Sequence, residues 1–107
     1  MAIKYKELKE KLEKEPLTKE ELSLIQSTED WLDEEIQKTF GKTYYEAWID
    51  KSIITFNWNP VTKKHIDAKE PRRHLMRKEL ERRYNAAGWK LEWPDDIDNA
   101  HVQFKGK

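Results

Sequence analysis

The stretch EPRRHLMRKELERRYNAAGWKLEW, residues 70–93, changes its apolar periodicity once, at Gly88. Before the glycine, apolar side chains recur three and four positions apart, as on one face of a helix. These side chains are Leu75, Met76, Leu80, Tyr84 and Ala87. After the glycine, charged residues alternate with Trp89, Leu91 and Trp93, as in a strand with one buried face. The stretch therefore predicts a helix that begins near Pro71, ends at Gly88 and leads into a core strand.

The first forty residues predict an N-terminal helical hairpin. Lys and Glu surround an apolar stripe over residues 3–14, and Pro16 ends this first helix. Thr18 and Glu21 carry the signature of a capping box, so a second and longer helix is expected over 18–40. The stripe of the first helix consists of Tyr5, Leu8 and Leu12.

Strand signals follow the hairpin and recur near the end of the chain. Residues 43–49 and 52–59 are rich in aromatic and β-branched side chains, with Asp50 and Lys51 as a possible turn between them. Residues 100–105 alternate again and place Val102 and Phe104 inward. The predicted order is ααββαββ, an α+β fold with two β-hairpin-like strand pairs separated by a helix. The helices are expected to pack on a three- or four-stranded, mostly antiparallel sheet.

The length of 107 residues predicts one domain, 1–107. Only 36% of the residues are apolar and 39% are charged, but five Trp, four Tyr and three Phe supply large buried areas for a small core. The helix within 1–15 is expected to be loosely attached, and the tail 105–107 is expected to be frayed. The chain has no cysteine, which excludes disulfides and thiolate metal sites.

The net charge is zero, but charge is divided unevenly along the chain. Residues 17–38 contain seven acidic residues and two lysines, whereas residues 71–90 contain seven basic and two acidic residues. Two segments of opposite sign predict either separate faces for different partners or pairing of the segments with each other or with a second copy.

Two binding hypotheses use the same side chains. A nucleic-acid hypothesis assigns phosphate contacts to the basic helix 71–84 and base stacking to exposed aromatic residues. Against it, the basic residues surround the apolar stripe on a helical wheel, and arginine stems commonly cover apolar surface. A protein-binding hypothesis uses the aromatic residues as anchors and the charges as a rim, and we favour it, with self-association included. The candidate partner-binding residues are Arg72, Arg73, Arg77, Arg83, Tyr44, Trp48 and Trp58.

The chain carries no recognisable catalytic motif. It has no phosphate-binding glycine loop, no nucleophile elbow and no HExxH, and only three glycines. Two groups have metal-ligand residue types, namely His65, Asp67, Glu70 and His74, and Asp95, Asp96 and Asp98. Their spacing matches no established site, so a helix cap with two surface histidines and a polar turn are the preferred interpretations. The sequence predicts no catalytic residue, metal or cofactor, with a metal-dependent enzyme as the last alternative.

The runs ELERRYNAAGWKLEW and LTKEELSLIQSTEDWLDEEI resemble short accessory proteins encoded by bacteriophages and prophages. The resemblance is one of style over about half of the chain and transfers no site residue. It implies a small protein, cytoplasmic in the host, that binds host proteins or nucleic acid. No apolar run reaches the length of a membrane span and the start of the chain has no hydrophobic signal segment, which also predicts a cytoplasmic location. The expected function is that of a non-catalytic binding module.

Overall fold

The computed structural model describes residues 2–42 and 44–107. The helices are α1 (Tyr5–Lys14), α2 (Lys19–Thr39), α3 (Lys51–Ile54) and α4 (Glu70–Ala86). The strands are β1 (Glu46–Asp50), β2 (Trp58–Asn59), β3 (Lys64–His65), β4 (Trp89–Glu92) and β5 (His101–Gly106). The predicted α+β class with a mostly antiparallel sheet is confirmed.

The main sheet has three antiparallel strands in the order β1-β5-β4, and β2 pairs with β3 in a separate small hairpin. In the register of the main sheet, Ile49 lies opposite Val102, and Leu91 lies opposite Phe104. These side chains share the inner face, where they form the core together with the helices. The outer face carries the alternate, more polar residues.

The two long helices cover the inner face of the sheet. In α2 the buried residues are Ile25, Thr28, Leu32 and Ile36, and in α4 they are Met76, Leu80 and Tyr84. Burying a side chain of leucine size stabilises the fold by about 1.5–3 kcal/mol. The predicted capping box is present at the start of α2, where Thr18 and Glu21 exchange hydrogen bonds. The sequence predicts Gly88 as the stop of this helix. In the structure α4 ends at Ala86, and Gly88 adopts φ of +94° two residues later.

The predicted strand over 52–59 is wrong in its first half, where α3 forms instead. The Asp50 carboxylate accepts hydrogen bonds from the Ser52 backbone N–H at 2.9 Å and the Ser52 hydroxyl at 2.8 Å, which caps a helical turn. Phe56, at φ of +59°, then reverses the backbone and is fully buried. Strand β1 pairs with β5, so the predicted hairpin between 43–49 and 52–59 does not form. Thr43, at the start of the first run, lies outside the described residues.

The two ends of the chain differ in their contacts with the rest of the molecule. Helix α1 contains no buried residue, and the molecule extends over 59 × 28 × 27 Å. At the other end β5 continues through Gly106, within the tail 105–107 for which the sequence predicts fraying. The Lys107 backbone N–H then donates to the Gly88 carbonyl at 3.0 Å, which fastens the last residue beside the end of α4.

Candidate functional site

The Arg72 side chain is used within the chain, where it joins three helices. It donates two hydrogen bonds to the Glu21 carboxylate, at 3.0 and 2.5 Å. It also donates to the backbone carbonyls of Leu12, Glu15 and Pro16 at 2.9–3.1 Å. The hydrogen bond from Arg72 lowers the pKa of Glu21 below its ordinary value, and Glu21 raises the pKa of Arg72. A guanidinium with this many internal acceptors holds α1 and α2 to α4.

The consecutive residues Arg83 and Tyr84 connect α4 to α2, where their acceptors follow one another at intervals of about one turn. Arg83 Nη1 donates to Glu29 Oε2 at 3.0 Å and to Gln26 Oε1 at 3.1 Å. The buried Tyr84 hydroxyl donates to Asp33 Oδ1 at 2.7 Å. Burial first, and then this hydrogen bond, raise the pKa of Tyr84. Two ion pairs therefore join α4 to α2, Arg72 with Glu21 and Arg83 with Glu29.

The other two predicted arginines also contact groups of the same chain. Arg73 Nη1 donates a hydrogen bond to Asn57 Oδ1. The Arg77 guanidinium lies 5.0 Å from the centre of the Trp93 ring, a cation–π geometry. The Trp93 indole N–H in turn donates to Glu81 Oε1 at 3.0 Å. All four arginines of the candidate set therefore have partners within the chain.

Aromatic side chains gather instead at one end of the sheet. An open hollow of about 640 Å³ lies there between the end of α2, the start of β1 and the end of α4. Phe40 packs edge-to-face on Trp89 at 5.5 Å between ring centres and lies 6.0 Å from the Tyr45 ring. The hollow is lined by Phe40, Tyr45, Glu46, Ala87, Gly88, Trp89, Lys105, Gly106 and Lys107.

Two of the predicted aromatic residues extend this cluster. Tyr44 precedes Tyr45, and the two side chains are 70% and 85% exposed. Trp48 stands on the outer face of β1, is 46% exposed, and donates its indole N–H to Glu46 Oε1 at 3.2 Å. Glu46, which accepts this hydrogen bond, is one of the residues that line the hollow. We call Phe40, Tyr44, Tyr45, Trp48 and Trp89 the aromatic surface.

The third predicted aromatic residue, Trp58, lies in the separate hairpin. Its ring is half-buried and packs edge-to-face on His65 at 5.0 Å. Phe40 and Tyr45, which the candidate set omitted, belong to the aromatic surface. A glycine followed closely by two tyrosines, Gly41 and Tyr44-Tyr45, was the signal in the sequence for exposed aromatic residues. In the structure Gly41 adopts φ of +82°.

The candidate metal groups adopt other local structures. His65 packs against Trp58, and Asp96 Oδ1 accepts a hydrogen bond from the Asp98 backbone N–H at 2.9 Å, as in a polar turn. Over residues 2–42 and 44–107, no three His, Asp or Glu side chains are grouped so that they could hold a metal ion.

Comparison with known proteins adds no relative. No protein-family model, curated protein or solved structure matches the chain. In the described part of the chain, none of the helices is both long and apolar enough to cross a bilayer. The resemblance to bacteriophage accessory proteins stays a prediction.

Proposed function

We propose that this protein is a non-catalytic binding module that contacts another protein through the aromatic surface. The observation that carries the proposal is the exposure of Tyr44, Tyr45 and Trp48 around a hollow lined by Phe40 and Trp89. Burying large aromatic side chains releases more free energy than burying most other residues. A cluster of them left in water therefore suits a surface that a partner covers.

The charges around the aromatic surface favour a protein over a nucleic acid. Lys105 Nζ lies 3.0 Å from Glu92 Oε2 and 3.8 Å from Glu46 Oε2, so its charge is balanced by the sheet itself. Lys107 Nζ donates to the Asn85 carbonyl. Phosphate binding requires cations that the chain leaves free, and α4 spends its four candidate arginines on internal contacts.

Comparative capture tests the proposal. The wild-type protein and the double variant Tyr45→Ser/Trp48→Ser are immobilised and exposed to the same bacterial lysate, and bound proteins are quantified by mass spectrometry. A protein retained by the wild type alone is then purified, and its affinity is measured by calorimetry. Loss of two central aromatic anchors is expected to weaken binding by roughly thirtyfold or more.

The matched control is Ile97→Ser, because Ile97 is a highly exposed apolar side chain outside the aromatic surface. Its capture profile is expected to equal that of the wild type. Equal affinity of the partner for the wild type and the double variant would contradict the proposal. Retention on heparin, or binding of single-stranded oligonucleotides that weakens steeply with salt, would instead support the nucleic-acid alternative.

The origin and location of the protein complete the proposal. The resemblance in sequence implies a bacteriophage or prophage protein, for which the partner would be a protein of the bacterial host. We place this encounter in the cytoplasm. A metal-dependent enzyme has the least support, because no arrangement of ligands for a metal occurs in the residues that the structure describes.

A further inference from the structure

The N-terminal helix presents an apolar stripe to solvent, away from the aromatic surface. Tyr5 is 79% exposed and Leu8 is 47% exposed, while Leu12, one turn further on, is half-buried. The preceding Ile3 is also exposed, at 77%. Leu12, at the end of the stripe, is partly covered by the chain itself, whereas residues 2–42 and 44–107 leave Tyr5 and Leu8 largely in solvent.

The stripe on α1 is bordered by lysines. With 3.6 residues per turn, Lys4 and Lys11 fall on one side of the stripe and Lys9 on the other, whereas Glu7 and Glu10 fall on the back of the helix. Two copies of α1 packed directly against each other would bring lysines together. The binding partner of this stripe must therefore be acidic at its edges.

A groove with that charge runs along α2. Two adjoining hollows of about 460 and 260 Å³ meet at Ser27, between α2 and the turn of the β2–β3 hairpin. Leu24 and Trp31 provide apolar surface on the helix, and Val61, 61% exposed, provides it on the turn. The exposed acidic residues of the groove are Glu20, Asp30 and Glu34, with Lys19 at one end.

The groove is long enough to hold α1, and the charges along the groove and along α1 are opposite in sign and, in the part of the chain that the structure describes, unpaired. The segment of α2 from Glu20 to Glu34 rises by about 21 Å, and the ten residues of α1 span about 15 Å. Within residues 2–42 and 44–107, none of the three lysines beside the stripe and none of the three acidic residues of the groove forms an ion pair. Ser23 and Ser27 are small enough to let a second helix approach closely.

The groove cannot be filled by α1 of the same chain without breaking the contacts of Arg72. That side chain holds the carbonyls of Leu12, Glu15 and Pro16, which fixes the end of α1 beside the start of α4. Only residues 15–18 connect α1 to α2. The helix that fits the groove must therefore come from another molecule.

From these features we infer that a second copy of this chain inserts its α1 into the groove of α2 and β2–β3. The apolar stripe covers Leu24, Trp31 and Val61, and the lysines approach Glu20, Asp30 and Glu34. A reciprocal exchange closes a two-fold dimer and buries two copies of the interface. This self-association uses a surface separate from the aromatic surface, so either proposal can fail without the other.

Sedimentation velocity over a micromolar-to-millimolar series tests the inference. The wild type is expected to dimerise, and Leu8→Glu is expected to weaken dimerisation by roughly tenfold or more, since a charge replaces a buried anchor. Lys6→Glu is the matched control, because Lys6 lies away from the stripe. Circular dichroism checks that each variant keeps its helices.

Charge reversal identifies the partner surface. Lys4→Glu/Lys9→Glu and Asp30→Lys/Glu34→Lys are each expected to weaken dimerisation, and the quadruple variant is expected to recover it. A wild type that stays monomeric throughout the series would overturn the inference. So would a dimer that is insensitive to Leu8→Glu, or a quadruple variant no stronger than its parents.

Discussion

Arg72 and Glu21 are joined by two hydrogen bonds, from Nε to Oε2 at 3.0 Å and from Nη2 to Oε1 at 2.5 Å. The same Glu21 Oε1 accepts the Thr18 backbone N–H at 2.9 Å and so completes the cap of α2. One carboxylate therefore serves both the start of α2 and the attachment of α4. Because the contact is bidentate, lysine is expected to be a poor substitute at position 72.

Replacing Arg72 with Met is expected to lower the free energy of unfolding by about 2–4 kcal/mol, because Glu21 and three carbonyls lose a largely buried donor. Urea denaturation measures the change. Arg82→Met is the control, since Arg82 forms an ion pair with Glu79 in an exposed position, where removal changes stability little. Equal losses in the two variants would contradict the structural role of Arg72.

The Arg72–Glu21 pair also predicts a pH dependence. Because the folded-state pKa of Glu21 is lowered below its ordinary value of 4.5, its stabilising contribution is complete above 4.5 and is lost as the pH falls through the lowered pKa. The difference in unfolding free energy between the wild type and Glu21→Gln is therefore expected to shrink on acidification. Glu7→Gln, at an exposed position on the back of α1, is the control for the loss of one carboxylate.

Tyr84→Phe is expected to lower the free energy of unfolding by about 1–2 kcal/mol at neutral pH, because the Asp33 carboxylate loses its buried donor. Because the pKa of Tyr84 is raised in the folded state, the stability that Tyr84 contributes also depends on pH in the alkaline range. Its contribution is present below the ordinary value of 10.0 and declines above it, where the unfolded chain ionises more readily. Denaturation above pH 10 should therefore show a smaller difference between the two proteins than denaturation at neutral pH.

Lys63 adopts φ of +57° in the exposed turn between β2 and β3. Lys63→Gly is expected to raise the free energy of unfolding by about 0.5–1 kcal/mol, because glycine adopts this conformation without strain. Lys64→Gly, one residue later in β3, should instead lower it. Thermal unfolding of the two variants gives the comparison, and a loss of stability in both would show that the turn is unstrained.

Within the aromatic surface, the Tyr45 side chain should contribute little to folding. Tyr45→Ser is expected to change the free energy of unfolding by less than about 0.5 kcal/mol, because the side chain is mostly in water. Phe104→Ala, in the fully buried centre of β5, should cost about 3–5 kcal/mol. Chemical denaturation measures both, and a large cost at Tyr45 would assign this residue to the core rather than to binding.

Long periodic segments were predictable because their own sequence specifies them. The cap at Thr18, the apolar stripe of α4 and the alternation after Gly88 are local signals that the tertiary structure reinforces. The first half of the predicted strand 52–59 was wrong because β propensity competed there with the cap of Asp50, which favours a helical turn. The pairing of β1 with β5 joins residues far apart in sequence, and no local pattern encodes it.

The candidate site was predictable only in part for the same reason. A helical wheel places Arg72 and Arg83 beside the apolar stripe, but their acceptors Glu21 and Glu29 are more than fifty residues away in the chain. Tyr44 and Trp48, which were selected from the sequence, are exposed, and their part in binding stays a prediction. Phe40 and Trp89 are far apart in the sequence and are in contact because the ends of α2 and α4 lie at the same end of the sheet.

The position of β5 in the sheet has a consequence for synthesis on the ribosome. Strands β1 and β4 pair with β5 and not with each other, and β5 follows both of them along the chain. Until residue 106 has emerged from the exit tunnel, the nascent chain can form helices but leaves Ile49 and Leu91 without their cross-strand neighbours. Cooperative folding must then wait until β5 has emerged, and a chain that stalls before His101 would expose two strand edges to chaperones and proteases.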